Sequence, residues 1–241
     1  MVREERERPM TGRKLKKLIR EVLTHDDLER GVQQILVFRK NSVVGPLISF
    51  FCSKDPLVKG KAISVLGVVA GQMADREPES GRVLMRRLMW SLNDESGGIG
   101  WGAPEAMGEI MARSELLAVE FHKILSSYVT TGANFLDIPA LQKGALWGIM
   151  RLASAYPERL SYLLPDLRRF FNDGDKAIRA FAAKSCLLID PSKSDHIPET
   201  LSMDSSPFDV YWDGEIQTYS ISTFLKTSLK LEDRVKPPVS G

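Results

Sequence analysis

The chain has 241 residues, 43% of them hydrophobic, and a formal net charge of +2. This length and composition are those of a folded protein with one large or two small domains. Eight Lys/Arg and three Glu fall within residues 1–20, so the remainder is slightly acidic, which excludes a body dedicated to polyanions. Residues 1–11 are therefore expected to form a flexible basic arm, which either contacts a polyanion or, more simply, is a solvated and frayed terminus.

The cysteines and the N-terminus predict the cellular compartment. Cys52 and Cys186 lie in apolar runs that are predicted to be helical, so we expect two buried free thiols instead of a disulfide or a metal site. The N-terminus has no apolar signal-peptide region, and no apolar run approaches the ~20 residues that a bilayer-spanning helix needs. We expect a soluble, cytoplasmic protein.

Helical spacing begins close to the N-terminus. A first helix is predicted from apolar residues at i, i+3, i+4, i+7 and i+8: Leu15, Leu18, Ile19, Val22 and Leu23. Further helices are predicted at about 27–38, 80–92 and 115–129. Trp90 lies in the apolar run Leu88-Met89-Trp90 and is expected to belong to the core.

A longer pattern recurs beyond residue 40, in which a helix, a turn and a second helix with a small anchoring residue follow one another. The anchoring residues are 44, 39 and 37 residues apart: Ala62, Ala106, Ala145 and Ala182. Such intervals are typical of helix-pair repeats and exclude heptads and propeller blades.

The two clearest copies carry a proline in the first helix, an aspartate in the turn and a basic residue before the alanine. These residues are Pro46, Asp55 and Lys59 in one copy and Pro165, Asp173 and Arg179 in the other. The proline removes one backbone donor and bends its helix, and the small alanine lets the second helix approach its neighbour closely.

This pattern resembles the HEAT repeat, including the short HEAT-like repeats of phycobilisome-lyase-type proteins. The resemblance extends over about 12–190 and is better over 43–70 and 160–189 than over 80–113 and 115–154. It implies an all-α, right-handed, armadillo-like α-solenoid of about five helix pairs. It also implies a hydrogen-bonded ladder between repeats, formed by the aspartates with the basic residues of the two clear copies.

The C-terminal part has a different character. Residues 191–207 are rich in Pro, Ser and Asp, which predicts a linker. Two β-prone runs then flank Asp213-Gly214, which predicts a hairpin, and a short helix is predicted at about 222–229. Because an isolated two-stranded hairpin is marginal in water, we expect 208–230 to pack on the last helix pair as a cap, followed by a flexible tail at 231–241.

Between two predicted helices the segment Asn93–Glu105 contains four glycines, a tryptophan and three carboxylates. Glycines in this number serve positive φ angles or close approach by another group. A phosphate cradle is disfavoured because no strand precedes the glycines and the carboxylates repel anions. A long turn within a repeat explains Pro104 near the start of a helix and Glu105 at its positive end.

The third interpretation of this segment is a contact surface, in which Trp101 is an aromatic anchor and the carboxylates accept hydrogen bonds from a partner. The segment is also similar to one in a bacterial group of HEAT-like repeat proteins without an assigned activity. The candidate binding residues of the segment are Asn93, Asp94, Glu95, Gly97, Gly98, Trp101 and Glu105.

Trp147 is a further candidate binding residue. It occupies the repeat position that holds Ser64, Gly108 and Lys184 in the other copies, and a core position rarely varies so widely in size and polarity. Trp147 is therefore predicted to face the concave side of the solenoid, unless it fills a gap beside Gly108. Arg151, one helical turn later, either belongs to the same surface or lays its stem along apolar neighbours with its charge in water.

The residues of known enzyme chemistries are not found together in the sequence. His25, His122 and His196 lie far apart, and there is no Gly-x-Ser-x-Gly or Cys-x-x-Cys. The iron-binding hydroxylases among HEAT-repeat proteins use His-Glu pairs, which this sequence lacks. We expect a non-enzymatic protein-interaction or scaffold module that binds a protein partner and has no cofactor, no metal and no membrane association.

The alternative is a HEAT-like DNA-binding protein or DNA glycosylase. Such a protein needs basic side chains along its concave face and tryptophans beside a carboxylate. The candidate constellation is Trp101, Trp147, Asp94, Arg86, Arg87 and Arg151. A slightly acidic body, in which no basic position recurs from repeat to repeat, disfavours this alternative.

Overall fold

A computed structural model describes residues 12–92 and 100–229. Over these residues the protein is mostly helical, with a two-stranded antiparallel sheet near the C-terminus. The α-helices are α1 (Gly12–Thr24), α2 (Leu28–Leu36), α3 (Lys40–Ile48), α4 (Pro56–Arg76), α5 (Pro78–Leu92), α6 (Ala103–Arg113), α7 (Glu115–Ser127), α8 (Pro139–Ala153), α9 (Leu164–Arg168), α10 (Lys176–Ile189), α11 (Glu199–Ser202) and α12 (Ile221–Lys226). The strands are β1 (Pro207–Trp212) and β2 (Glu215–Ser220), and 3-10 helices lie at Pro157–Leu163, Arg169–Asn172 and Pro191–His196.

The secondary structure confirms the mostly helical architecture and the C-terminal hairpin that the sequence predicts. The predicted helices at about 27–38, 80–92 and 115–129 correspond to α2, α5 and α7. The segment 191–207, predicted as a linker, contains a 3-10 helix and α11. The basic arm 1–11 and the tail 231–241 lie outside the described residues.

Four of the helices pack side by side in chain order, α4 on α6, α6 on α8 and α8 on α10. We call these four helices the helix row. The recurring alanines lie in these four helices, and none of them has exposed surface. Helix α5 packs against α4 and α6, and α7 packs against α6 and α8. The periodic alanines thus mark the contacts between consecutive helices of the row, where a small side chain permits close packing.

Two glycines bring the backbones of α6 and α8 into close contact. A Cβ atom built on Gly108 would lie 2.3 Å from the Cα atom of Gly148, and one built on Gly148 would lie 2.5 Å from the carbonyl oxygen of Pro104. Both distances involve backbone atoms, so neither can be relieved by a side-chain rotation. The space beside Gly108 is filled by Gly148, and Trp147 does not fill it.

The aspartates of the turns act differently from the predicted ladder. The carboxylate of Asp55 caps α4 and accepts a hydrogen bond from the amide of Leu57 at 2.9 Å. Lys59 instead reaches the next helix of the row and binds Glu105 of α6 at 2.6 Å. The guanidinium of Arg179 donates to the backbone oxygen of Asp173 and forms its ion pair with Asp204. The predicted Asp55–Lys59 pair is therefore wrong, and the predicted Asp173–Arg179 pair forms only through the backbone of Asp173.

Helix α4 is long and apolar enough to cross a membrane by length and composition alone. Most of its apolar window, 83%, is buried against the rest of the protein. Packing against α3, α5 and α6 therefore accounts for its apolar composition.

Two predictions of burial were wrong. Trp90 is 76% exposed, because the buried residues of α5 end in Leu84, Met85 and Leu88, and a residue two positions beyond Leu88 points to the opposite side of the helix. Cys52 is exposed because it lies in a turn after α3, whereas Cys186 is a buried free thiol as predicted. Burial raises the pKa of the Cys186 thiol to about 12, so it remains protonated at neutral pH.

Candidate functional site

The C-terminal hairpin lies on one side of the helix row. Its turn is formed by Asp213 and Gly214, which have φ angles of 44° and 95°, as the Asp-Gly sequence predicts. We call residues 207–229 the C-terminal unit, and Tyr211–Gly214 its tip. We call the side of α4, α8 and α10 on which this unit lies the covered face, which is defined by Gly60, Ser64, Trp147, Arg151, Phe181 and Lys184.

The base of the C-terminal unit is held on α10 by apolar contacts. The rings of Phe181, Phe208 and Phe224 pack edge to face, with centroids 5.3 to 6.2 Å apart. Lys184 donates hydrogen bonds to the carbonyl oxygens of Leu225 and Thr227 at the end of α12, where a cation is favourable. Burial lowers the pKa of Lys184 to about 8. These contacts agree with the prediction that the hairpin packs on the last helix pair.

The tip reaches further than a cap of the last pair requires. The ring of Tyr211 fills the space above Gly60, where a Cβ atom would lie 2.2 Å from the ring. The Tyr211 hydroxyl is 2.8 Å from the Ser64 hydroxyl, and its backbone oxygen accepts a hydrogen bond from the Trp147 indole at 3.0 Å. Burial raises the pKa of the Tyr211 hydroxyl, which therefore stays neutral. One residue of the tip thus contacts both α4 and α8 through its side chain and its main chain.

Beneath the tip lies a network of four charged side chains centred on Arg151, which is 1% exposed. Its guanidinium donates to Glu109 and to Asp213, each at 2.6 Å, and lies 4.4 Å from the ring centre of Trp212. Arg113 donates to the other oxygen of Glu109, also at 2.6 Å. We call Glu109, Arg113, Arg151 and Asp213 the Arg151 cluster.

Glu109 and Arg151 remain ionised despite their burial. Burial alone raises the pKa of Glu109, but the charges of Arg151 and Arg113 and their hydrogen bonds outweigh it, so this pKa lies below its usual value. Burial lowers the pKa of Arg151, and Glu109 and Asp213 more than offset that effect. Two cations and two carboxylates therefore balance one another only while the tip contributes Asp213.

The lowered pKa of Glu109 predicts a pH dependence of stability. Because the folded-state pKa lies below the ordinary value of 4.5, the ionised carboxylate stabilises the fold above pH 4.5, and this stabilisation is lost as the pH falls through the folded-state pKa. The variant Glu109→Gln lacks this titration. We expect the difference in free energy of unfolding between the native protein and Glu109→Gln to be largest near pH 7 and to shrink below pH 4.5. Urea unfolding at a series of pH values measures it, and a difference that stays constant down to pH 3 would contradict the ionised cluster.

Of the predicted binding residues, five lie outside the described residues: Asn93, Asp94, Glu95, Gly97 and Gly98. Trp101 is half-buried in the turn before α6, and Pro104 lies in the first turn of that helix, as predicted. Glu105 pairs with Lys59, and its side chain is 12% exposed. The backbone of Gly102 has a φ of 75° and lies against Phe51, so this glycine serves both a positive φ and a close approach.

Trp147 and Arg151, the other two candidates, are brought together with Ser64 and Lys184 on the covered face. Trp147 is 7% exposed and lies beneath Tyr211 and Trp212, with ring centroids 6.4 and 6.1 Å away. Of the four residues at this repeat position, Ser64, Trp147 and Lys184 contact the C-terminal unit through their side chains, and Gly108 does not. Their role in binding a partner stays a prediction, since the protein's own tip fills this face.

Three residues of the Arg151 cluster were not singled out as site residues from the sequence: Glu109, Arg113 and Asp213. Glu109 lies in the apolar run Met107-Gly108-Glu109-Ile110-Met111, four residues before Arg113. A charge in a buried helix must be paired, so this spacing indicated an ion pair. Asp213 carried no such signal, because an aspartate before glycine is fully explained by the turn.

The two tryptophans offer a direct comparison of exposed and buried positions. We expect Trp147→Ala to lower the free energy of unfolding by about 3–5 kcal/mol, because it removes buried ring contacts and the indole donor to Tyr211. Trp90→Ala serves as the matched control and is expected to change stability by less than about 0.5 kcal/mol. Urea unfolding followed by circular dichroism measures both. Equal effects of the two substitutions would contradict the described burial.

No protein-family model matches the chain, and no curated protein sequence matches it either. Among residues 12–92 and 100–229, no three His, Cys, Asp or Glu side chains are grouped as metal ligands. The Arg151 cluster and the aromatic residues above it are therefore the candidate site on which a functional proposal depends.

Proposed function

We propose that the protein is a non-enzymatic protein-interaction module built as a HEAT-like α-solenoid. The observation that carries the proposal is that corresponding positions of three helices of the row hold one polypeptide segment. Ser64 of α4, Trp147 of α8 and Lys184 of α10 each bind atoms of the C-terminal unit. A face with this property is suited to binding protein chains.

The helix order supports the repeat assignment. The pairs α1–α2, α3–α4, α5–α6, α7–α8 and α9–α10 give the five helix pairs that the resemblance implies, and the second helices of the last four pairs form the row. Each of the last four pairs contributes one helix to the row, in keeping with nearest-neighbour stacking of repeats, and three of these helices, α4, α8 and α10, contribute residues to the covered face.

The cations of this region argue against the DNA-binding alternative. The ammonium group of Lys61 donates to the backbone oxygen of His25 at 2.7 Å, and that of Lys184 donates to carbonyl oxygens. Arg113 and Arg151 bind the carboxylate of Glu109. These side chains are buried or nearly so and have protein acceptors, so they do not offer their charges to a phosphate backbone.

Photo-crosslinking in the cells that produce the protein tests the proposal. A benzophenone amino acid is introduced at Trp101, in the predicted contact region, and in a second variant at Tyr162, which is 48% exposed near α7. We expect a discrete protein adduct from position 101 and none from position 162. Absence of an adduct at position 101 would refute binding of a partner through the contact surface that the sequence predicts around Trp101. Binding of duplex DNA that weakens steeply with salt would instead favour the alternative.

A further inference from the structure

The tip of the C-terminal unit and its base are held by different kinds of contact. The base is mostly apolar: it contains the Phe181–Phe208–Phe224 cluster, to which Lys184 adds hydrogen bonds to two carbonyl oxygens. The tip is bound through polar and charged groups: a hydroxyl pair, an indole donor and the Arg151–Asp213 ion pair. The tip therefore has the contacts of a recognised ligand, while the base has those of a hydrophobic core.

The covered face has a group that binds each part of the tip. Gly60 leaves a slot for an aromatic ring, and Ser64 at its end meets a hydroxyl group. Trp147 donates to a main-chain oxygen, which any polypeptide supplies. Arg151 binds a carboxylate on one side while its guanidinium stacks over an aromatic ring.

Charge also indicates what kind of group this face requires. Without Asp213 the cluster retains Arg113, Arg151 and one carboxylate, Glu109, so it has an excess of one positive charge in a buried position. The Nη1 atom of Arg151 and the Nη2 atom of Arg113 are buried and have no hydrogen-bond partner among the described residues. An anion at this place is needed to offset the cost of burying the second cation.

The hairpin is only loosely enclosed along its outer side. Most residues of β2 are exposed or half-buried, and the two strands pair only with each other in the part of the chain that the structure describes. A cleft of about 490 Å³ lies beside the hairpin, lined among others by Lys143, Asp175, Asp209 and Thr218. A two-stranded sheet of this kind is marginal by itself, so the contacts with the covered face decide whether the tip stays in place.

We infer that the covered face is a recognition site for a protein segment that carries an aromatic pair followed by an acidic residue, and that the tip occupies it as an internal ligand. The partner segment displaces Tyr211–Gly214, while the apolar base stays on α10. This inference rests on the proposed function and specifies the partner's chemistry.

A fluorescent peptide with the sequence of residues 207–220 is the probe. Its binding is measured by anisotropy on the full chain and on the full-length variant Asp213→Asn, whose tip has lost its charge. We expect the variant to bind the probe at least about tenfold more tightly than the native chain, because weakening the internal ligand raises the fraction of open sites. A probe with asparagine in place of the aspartate that corresponds to Asp213 is expected to bind at least about tenfold more weakly.

The matched control is Thr218→Ala, which removes a hydrogen bond to Asp209 within the hairpin and touches none of the contacts with the helices. It should bind the probe as the native chain does. Equal affinity of the aspartate and asparagine probes, or no probe binding to a folded Asp213→Asn chain, would overturn the inference. A dimer of that variant with exchanged hairpins would also overturn it, since the occupant would then be a second copy.

Should Asp213→Asn fail to fold, the native chain still gives a decisive measurement. Saturation with the probe is expected to speed hydrogen exchange in 207–220, and unchanged exchange with bound probe would overturn displacement. A crosslink at position 101 without probe binding would overturn only the internal-ligand inference. Probe binding without any cellular crosslink would overturn only the proposed function.

Discussion

Replacing Arg151 by methionine is expected to lower the free energy of unfolding by about 3–5 kcal/mol, because it removes one of two cationic partners from buried Glu109 and the ion-pair partner of Asp213. Glu109 is fully buried and would keep only Arg113, and Asp213, whose side chain is 8% exposed, would lose the ion pair it makes within the cluster. The stack of the guanidinium on Trp212 would be lost as well. Urea unfolding at pH 7 measures the effect.

The control for this substitution is Arg159→Met. Arg159 also binds a carboxylate at 2.9 Å, but its partner Glu115 is 67% exposed, so its loss is expected to cost less than about 1 kcal/mol. Similar losses from the two arginine substitutions would show that Arg151 is not the centre of a buried ionic cluster.

Replacing Gly148 by alanine is expected to lower the free energy of unfolding by about 2 kcal/mol or more. The new Cβ atom would lie 2.5 Å from the carbonyl oxygen of Pro104, so α6 and α8 must move apart. Overpacking of this kind costs about 3 kcal/mol, and the better helix propensity of alanine recovers only about 1 kcal/mol. Thermal unfolding followed by circular dichroism measures the loss.

Gly45→Ala is the matched control, since Gly45 also lies in a helix and a Cβ atom there would meet nothing within 4 Å. This substitution is expected to leave stability unchanged or to raise it by up to about 1 kcal/mol. A Gly148→Ala protein as stable as Gly45→Ala would contradict the close contact between α6 and α8.

Local patterns in the sequence predicted much of the helical architecture. The apolar stripe of α1 and the Asp-Gly turn each depend on neighbours within a few residues, and the alanines of the helix row follow from a repeat of 37 to 44 residues. The structure confirms the stripe, the burial of the alanines and the turn. Trp90 was misplaced because an apolar run does not reveal which side of a helix faces the core. Its neighbour Leu88 is buried, whereas Trp90 is exposed.

The candidate site depends on contacts between distant parts of the chain and was only partly predictable. The variation among corresponding repeat positions brought Trp147 and Lys184 to attention as residues of one face. It gave no indication that Tyr211 and Asp213, more than 60 residues beyond Trp147 and Arg151, would cover that face. Only the three-dimensional path of the hairpin places an aspartate from a turn on a buried arginine.

Hydrogen exchange of the native chain, without any added ligand, tests most directly whether the tip is a separable ligand of the helix row. We expect amides of residues 211–217 to exchange through a local opening of lower free energy than the one that exposes α8 and α10. Arg151→Met should accelerate exchange at these amides more than at those of α12. If the hairpin instead exchanges only together with α8 and α10, the tip belongs to the core, and the covered face is not a binding site that a partner can reach.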